Sequence, residues 1–389
     1  LLAGKPASER RPGKNAASTY KRNELKNSGM EEKMRKLVKK AVALLGISVL
    51  TVGLLAGCGK SDAGKDKDKV ENGSSVEGNE TGNDEEAKKL KIGVSQLAEH
   101  PALDASYEGF VAALKDAGYV DGENIEIDFN NAQGDPSNCE TIANKLVNNQ
   151  SDLILAIATN SAQACAAKTT EIPILFTAVT DPVVAGLCES VETPGTNISG
   201  SSDLNPVKEQ IDLLLQILPD AKKIAIMYCS AEDNSIVQAD LAKTACEAVN
   251  LEYMEATVSD SNQIQSVTES LIGKVDAIYI PTDNLLAEGM ATVAMVANAN
   301  HLPIIAGEEN MVANGALATY GLDYFEIGKK AGEMAVEILK NGKDVSQMPV
   351  AYLSAENCTL AINTTTAEEL NITIPEDLLK DAKIVGAEE

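Results

Sequence analysis

The apolar residues 153–158 (Leu-Ile-Leu-Ala-Ile-Ala) run without polar interruption into Thr159-Asn160-Ser161 and then into a helix of small residues. A short apolar run of this kind reads as a strand buried on both faces, as in a parallel sheet covered by helices. Hydroxyl and amide side chains therefore stand where the free backbone N–H groups of a helix start point outward. Such a corner holds a carboxylate or phosphate, because unpaired N–H groups and the positive end of the helix dipole converge on it. The alternative is that Thr159 or Ser161 only caps the helix. The same succession of strand, polar corner and helix recurs along the chain, and the recurrence implies an α/β fold with parallel sheets and helices on both faces.

A first series has strands at 91–95, 124–129, 153–158, 172–177 and 197–200. Between the first two lies an amphipathic helix with Tyr107, Phe110, Val111 and Leu114 on one face, and Asp135-Pro136-Ser137 opens the next helix with proline in the tolerated first turn. A second series has strands at 223–228, 251–257, 276–280, 303–306 and 315–320, with helices near 206–217, 234–249, 261–272 and 284–299. A last helix carries Tyr324, Ile327, Gly328, Ala331, Met334, Ala335 and Ile338 on one stripe. Two similar α/β halves in series are what a cleft-type binding protein needs. With 389 residues, 44% of them hydrophobic, the chain can bury a core in each half.

Residues 1–90 read differently. Residues 34–57 combine a basic run (Arg35, Lys36, Lys39, Lys40) with a short apolar stretch and end on Leu55-Ala56-Gly57-Cys58. This is a secretory signal, too short for a membrane span, and its ending resembles the lipobox of bacterial lipoproteins. That resemblance implies that Cys58 is the lipidated first residue of the mature protein, anchored to a membrane on its extracytoplasmic side. Met30-Glu31-Glu32 would be encoded by a purine-rich, ribosome-binding-like sequence, so Met34 is the expected start and residues 1–33 a mistranslated leader. Residues 59–90, almost devoid of apolar side chains, cannot repay their ordering entropy and read as a tether. A flexible segment of about 30 residues has a reach of roughly 30 Å.

The chain carries a net charge of −25 although residues 1–57 are basic, so the part beyond Cys58 is more acidic still. A polyanion is repelled by such a surface, which excludes nucleic acid as a partner. Two histidines cannot assemble a metal cluster or a Ser-His-Asp set, and neither GxxxxGK[ST] nor GxGxxG occurs, so no catalysis, metal or cofactor is expected. The seven cysteines show no CxxC and no metal-like spacing; Cys165, Cys229 and Cys246 read as buried thiols.

Polar residues gather at the carboxyl ends of the strands, where open parallel sheets bind ligands. In the first half these are residues 96–100, with His100, then Thr159-Asn160-Ser161 and the stretch from Thr177 to Asp181; in the second they are residues 281–284, 307–310 and 320–324. Hydroxyls dominate the first half and acids the second. That division suits a zwitterion, its carboxylate held by Ser161 and Thr177, its ammonium by Asp283 with help from Glu308 or Asp323. Capping is the alternative for Asp283, a turn for Asp181, and a loop contact for His100.

The stretches His100-Pro-Ala-Leu-Asp104, Ala158-Thr-Asn-Ser-Ala-Gln163, Phe176-Thr-Ala-Val-Thr-Asp-Pro182, Pro194-Gly-Thr-Asn197, Val275 to Asp283 and Gly315 to Gly321 with Asp323-Tyr324 resemble the lipoprotein solute-binding components of bacterial ABC importers, tryptophan/tyrosine type. The resemblance covers residues 91–385 and departs from the family at Asn160, where many relatives have proline. It implies the type I periplasmic-binding-protein fold, two Rossmann-like lobes joined by a three-strand hinge: residues 91–204 with 321–345, and 205–320 with 346–386. It implies a monomer that closes on one small molecule, an aromatic amino acid before a branched aliphatic one, its side chain among Tyr107, Phe176 and Tyr324, and delivers it to a membrane permease. A lobe that senses its ligand for a membrane receptor or kinase is the alternative function.

Overall fold

The computed structural model describes residues 89–353 and 357–386. The leader, the signal segment, Cys58 and the tether up to residue 88 lie outside the described residues. The first lobe is a five-stranded parallel sheet in the order β2-β1-β3-β4-β5, with β1 (Leu90–Gln96), β2 (Ile125–Asn131), β3 (Leu153–Ile157), β4 (Ile174–Thr177) and β5 (Ile198–Gly200). Its helices are α1 (Pro101–Asp116), α2 (Pro136–Asn148) and α3 (Thr159–Ala166). β3 and β4 are buried along their whole length, as strands covered on both faces must be.

The second lobe is a seven-stranded sheet in the order β12-β11-β10-β9-β8-β6-β7. Its strands are β6 (Lys223–Cys229), β7 (Glu252–Val258), β8 (Ala277–Ile280), β9 (Ile304–Ala306), β10 (Ala318–Leu322), β11 (Cys358–Asn363) and β12 (Lys383–Val385). Apolar residues on the two faces of this sheet form two separate clusters, one around Ile211, Ile226 and Tyr279, the other around Ile278, Met290 and Ile304. The Tyr279 hydroxyl, wholly buried, donates to Gln210 Oε1 at 2.7 Å, so the polar tip is satisfied inside the core.

Three features differ from the sequence expectation. The helix expected over 284–299 is two helices, Asn284–Glu288 and Met290–Ala299, broken at Gly289, where a Cβ would overlap Ile264. β11 runs antiparallel to β10, pairing Leu322 with Cys358. The chain leaves β10 at the cleft end of the sheet, passes through the first lobe and comes back at that same end, so the returning strand must run the other way. Finally, Val345, Met348 and Val350 pack into the core of the first lobe, and Ala351 bridges to Ser201. The return crossing therefore lies after Ala351 rather than after residue 345.

The excursion into the first lobe is a long helix, α10 (Tyr324–Asn341), counting the second-lobe helices α4 (Val207–Ile217), α5 (Asp233–Val249), α6 (Ile264–Leu271), α7 (Asn284–Glu288), α8 (Met290–Ala299) and α9 (Glu309–Ala313) in between. It lies directly on α1 because glycines remove the side chains that would hold the helices apart. A Cβ at Gly109 would overlap the Phe325 carbonyl, and one at Gly328 the Ser106 carbonyl. The Ser106 hydroxyl donates across the same contact to the Tyr324 carbonyl at 3.2 Å. Overpacking such a contact costs about 1–3 kcal/mol. Gly328→Ala is expected to lower the urea midpoint accordingly with an unchanged m-value, measured by equilibrium unfolding; an unchanged midpoint would show that the helices are not held at this separation.

Candidate functional site

The cleft lies at the carboxyl ends of both sheets. In each lobe it meets the topological switch point, between β1 and β3 on one side and between β6 and β8 on the other, where open α/β sheets leave a crevice. His100, Thr180 and Asp203 approach from the first lobe and the first crossing, and Asn234, Asp283 and Asn284 from the second. With Tyr324 and Glu308 they enclose a cavity of about 20 Å³. Among the described residues three hydrogen bonds span the lobes: His100 Nε2 to Asn284 Oδ1 (3.4 Å), Gln163 Nε2 to Asp233 Oδ2 (2.9 Å) and Gln238 Nε2 to Thr180 Oγ1 (3.5 Å).

Four carboxylates are buried here, with Asp203 4%, Glu232 6%, Asp283 2% and Glu308 3% exposed. None forms an ion pair among the described residues, and no arginine occurs in the chain after Arg35. Hydrogen bonds offset the burial instead. Asp283 accepts from the backbone N–H of Leu286 (2.8 Å) and Cys229 (2.5 Å), and Glu308 from those of Asn310 (2.6 Å) and Met311 (2.9 Å). Asp203 accepts from the hydroxyls of Thr180 (3.0 Å) and Tyr324 (2.8 Å). Burial pushes the Asp283 carboxyl up to about 7, the charge of Glu232 adding to it, and pushes Glu308 up to about 7; Asp203 is raised for the same reason.

Buried polar atoms without a partner mark where an outside group is wanted. Gln96 Oε1, His100 Nδ1, Thr159 Oγ1 and Asn234 Oδ1 are such atoms at the end of β1 and at helix starts, with His100 and Asn234 lining the cavity; Asn298 Oδ1 and Thr319 Oγ1, in the second lobe, are two more. The backbone is strained nearby as well. Ala158 and Ala178, directly after β3 and β4, have φ of 77° and 56°, unusual for residues with a Cβ.

A family model described as ABC transporter substrate binding protein matches residues 91–385. The chain belongs to this family. A tyrosine-binding protein of Clostridioides difficile is 44% identical over 342 residues, 88% of this chain and 92% of that protein. The structure of an ABC domain in complex with L-Trp from Streptococcus pneumonia is 38% identical, covers 77% of this chain and all of its own, and superposes with a TM-score of 0.74. The ligand-free, open structure of a substrate-binding protein with adhesive properties from Clostridium difficile covers the same shares at 44% identity, but with a TM-score of 0.61. The TM-score is higher on the L-Trp complex than on the open structure although the identity is lower.

The structure sorts the residues singled out in the sequence. His100, Asp283, Glu308 and Tyr324 meet around the cavity, and Asn160 lines an adjoining recess between the lobes with Glu232 and Asn284. Thr159 is buried, its hydroxyl unpartnered. Several placements are corrections. Ser161 turns into the first lobe, its hydroxyl 3.4 Å from Ser95 Oγ and 3.5 Å from Cys139 Sγ. Thr177 bonds Ser201 Oγ (3.2 Å), which in turn donates to the Ile327 carbonyl of α10, away from the cleft. Tyr107 packs its ring on Phe129, centroids 4.7 Å apart, at the outer edge of the first lobe. Phe176 is wholly buried in the core. Asp181 accepts from the N–H groups of Val183 and Val184, making a turn, and Asp323, exposed, caps α10. Asp283 and Glu308 combine a capping role with their place at the cavity.

Sequence reasoning missed Asp203, Glu232 and Asn234. Asp203 lies in the crossing, which has no periodic pattern. Glu232 and Asn234 come after β6 in a polar corner, Ser230 to Asn234, of the kind recognised elsewhere in the chain. That signal was available.

The raised carboxyls give the unliganded protein a definite pH dependence. Asp283 and Glu308 bind their protons more tightly folded than unfolded, so their contribution is complete below the ordinary values of 3.8 and 4.5 and is lost as the pH rises through about 7. The unfolding midpoint of ligand-free protein is expected to fall by several degrees between about pH 5 and pH 8, with Glu308→Gln flattening the slope. A midpoint that rises over this range, measured by calorimetry, would contradict the assignment.

Proposed function

We propose that the protein is the extracytoplasmic, lipid-anchored solute-binding component of an ABC importer and that it closes around an aromatic amino acid, tyrosine or tryptophan before phenylalanine. The observation that carries this reading is the buried polar group where the lobes meet, a carboxylate beside unpartnered acceptors, in a chain 44% identical to a tyrosine-binding protein and 38% identical to a domain that holds L-Trp. Asp203 supplies the charge for the ligand's ammonium, since its partners are two hydroxyls that can turn to other acceptors. This role replaces the one expected of Asp283, whose two oxygens are already bonded to backbone N–H groups.

The absence of arginine after Arg35 means that no guanidinium meets the ligand's carboxylate. The start of α3, with the free Thr159 hydroxyl and the positive end of the helix, supplies that contact. The space of about 20 Å³ between the lobes is smaller than an aromatic side chain, so the lobes part further to admit the ring among Leu103, Ala178 and Tyr324, with no cofactor and no chemistry on the bound solute. A monomer tethered through Cys58 delivers its load to the membrane permease, and the lobes comprise residues 91–204 with 321–351 and 205–320 with the remainder.

A thousandfold excess over the dissociation constant adds about 4 kcal/mol to a bound state. L-Tyr or L-Trp is therefore expected to raise the melting temperature of the full chain by several degrees, and Asp203→Asn to weaken binding by roughly 10- to 100-fold. A flat response to all three aromatic amino acids, in protein first unfolded and refolded to strip any bound solute, would refute the ligand. For the anchor, Cys58→Ser is expected to shift the protein from the membrane fraction to the medium or periplasm; an unchanged membrane fraction would refute lipidation at Cys58.

A further inference from the structure

Glu232 does not itself line the cavity and pairs with no cation among the described residues, yet it is buried and accepts four hydrogen bonds. Its Oε2 takes Asn284 Nδ2 (2.7 Å), the Asn284 N–H (3.1 Å) and Asn234 Nδ2 (3.1 Å), and its Oε1 takes the Leu285 N–H (3.0 Å). An ionised carboxylate only accepts, so both amides must present their NH₂ groups to it and their oxygens elsewhere. The orientation of two side chains is thereby fixed.

For Asn284, the oxygen faces His100 Nε2 across the lobes at 3.4 Å. An amide oxygen cannot donate, so Nε2 carries the ring proton. Burial holds the His100 pKa below its ordinary value, which keeps the ring neutral and leaves Nδ1 as a lone-pair acceptor; that atom is buried and without a partner. For Asn234, whose NH₂ also reaches the Thr282 carbonyl (3.4 Å), the oxygen is likewise a buried acceptor without a partner. His100, Asn234 and Asp203 line the same cavity.

We propose that Glu232 is a positioning residue that makes this cavity a site for a primary ammonium, by orienting one neutral acceptor from each lobe, His100 Nδ1 and Asn234 Oδ1, beside the Asp203 carboxylate. Three acceptors match the three N–H bonds of an unsubstituted ammonium. The inference rests on the amino-acid reading above and deepens it. The ligand's nitrogen is the group that both lobes grip, so a desamino or N-acylated analogue leaves acceptors unmet and does not hold the lobes together.

The test compares L-tyrosine with its desamino analogue, 3-(4-hydroxyphenyl)propanoate, by calorimetric competition on the full chain. The unsubstituted protein is expected to prefer the amino acid by roughly 100-fold or more, and Glu232→Gln, which frees both amides to turn, to narrow that ratio to under about tenfold. An unaltered ratio in the variant overturns the inference. Should the variant not fold, nitrogen NMR of the unsubstituted protein decides: with only two histidines, each ring is assignable. A neutral ring protonated at Nε2, whose Nδ1 resonance moves when L-tyrosine is added, supports the proposal; a His100 ring protonated at Nδ1 in the complex overturns it. Failure to bind any aromatic amino acid would instead strike the underlying reading, and this inference with it.

Discussion

Four carboxylates are withdrawn from water where the lobes meet, and no lysine or arginine pairs with any of them among the described residues. Removing such a charge from water costs several kcal/mol unless hydrogen bonds or a countercharge replace the solvent. Much of the local architecture is that replacement. Asp283 and Glu308 each draw the free N–H groups of a short helix toward the cleft, and Glu232 gathers two amides and two backbone donors. Asp203 recruits hydroxyls from the first lobe and from the second crossing. The ammonium of a bound amino acid would bring a positive charge to this group, which no lysine or arginine among the described residues does, and that is a physical reason for closure to depend on occupancy.

The crossings are tied to one another as well as to the lobes. Tyr324 reaches Asp203 through its hydroxyl, Asn205 Oδ1 accepts the Leu322 N–H at 3.1 Å, and Ala351 pairs with Ser201. One of these links is side chain to side chain, one side chain to backbone and one backbone to backbone. The rigid parts begin immediately beyond, with α10 notched into α1 and Gln210 donating to the Gly307 and Tyr320 carbonyls. A closing motion of the lobes would then turn on a few residues per crossing, the usual arrangement in domain closure.

Most of this fold could be read from the chain because each strand of both series announces itself by an apolar run and each corner by a cluster of hydroxyl, amide or acid groups. Direction within a corner could not. In strands buried on both faces, such as β3 and β4, the two sides carry the same kinds of residue, so alternation does not say which hydroxyl faces the cleft; Ser161 and Thr177 face inward for reasons that lie in Ser95, Cys139 and Ser201. Tyr107 shares the apolar stripe of α1 with Phe110 and Leu114, but only the neighbouring edge strand, with Phe129, determines which way its ring lies. The sense of β11 depends on where the chain comes back from, which no local signal encodes. Asp203, finally, sits in a crossing, and a crossing has no period.

The glycine-notched contact between α1 and α10 also sets an order of events during synthesis. The first lobe has its five strands by Gly200, yet its apolar surface is not covered until the helix beginning at Tyr324 and the residues up to Val350 arrive. The second lobe in turn lacks its last strands until Val385. Each lobe therefore waits for a segment that emerges after most of the other has been made, and such long-range closure is slow. In a chain built this way neither core is complete until nearly all of the sequence is available.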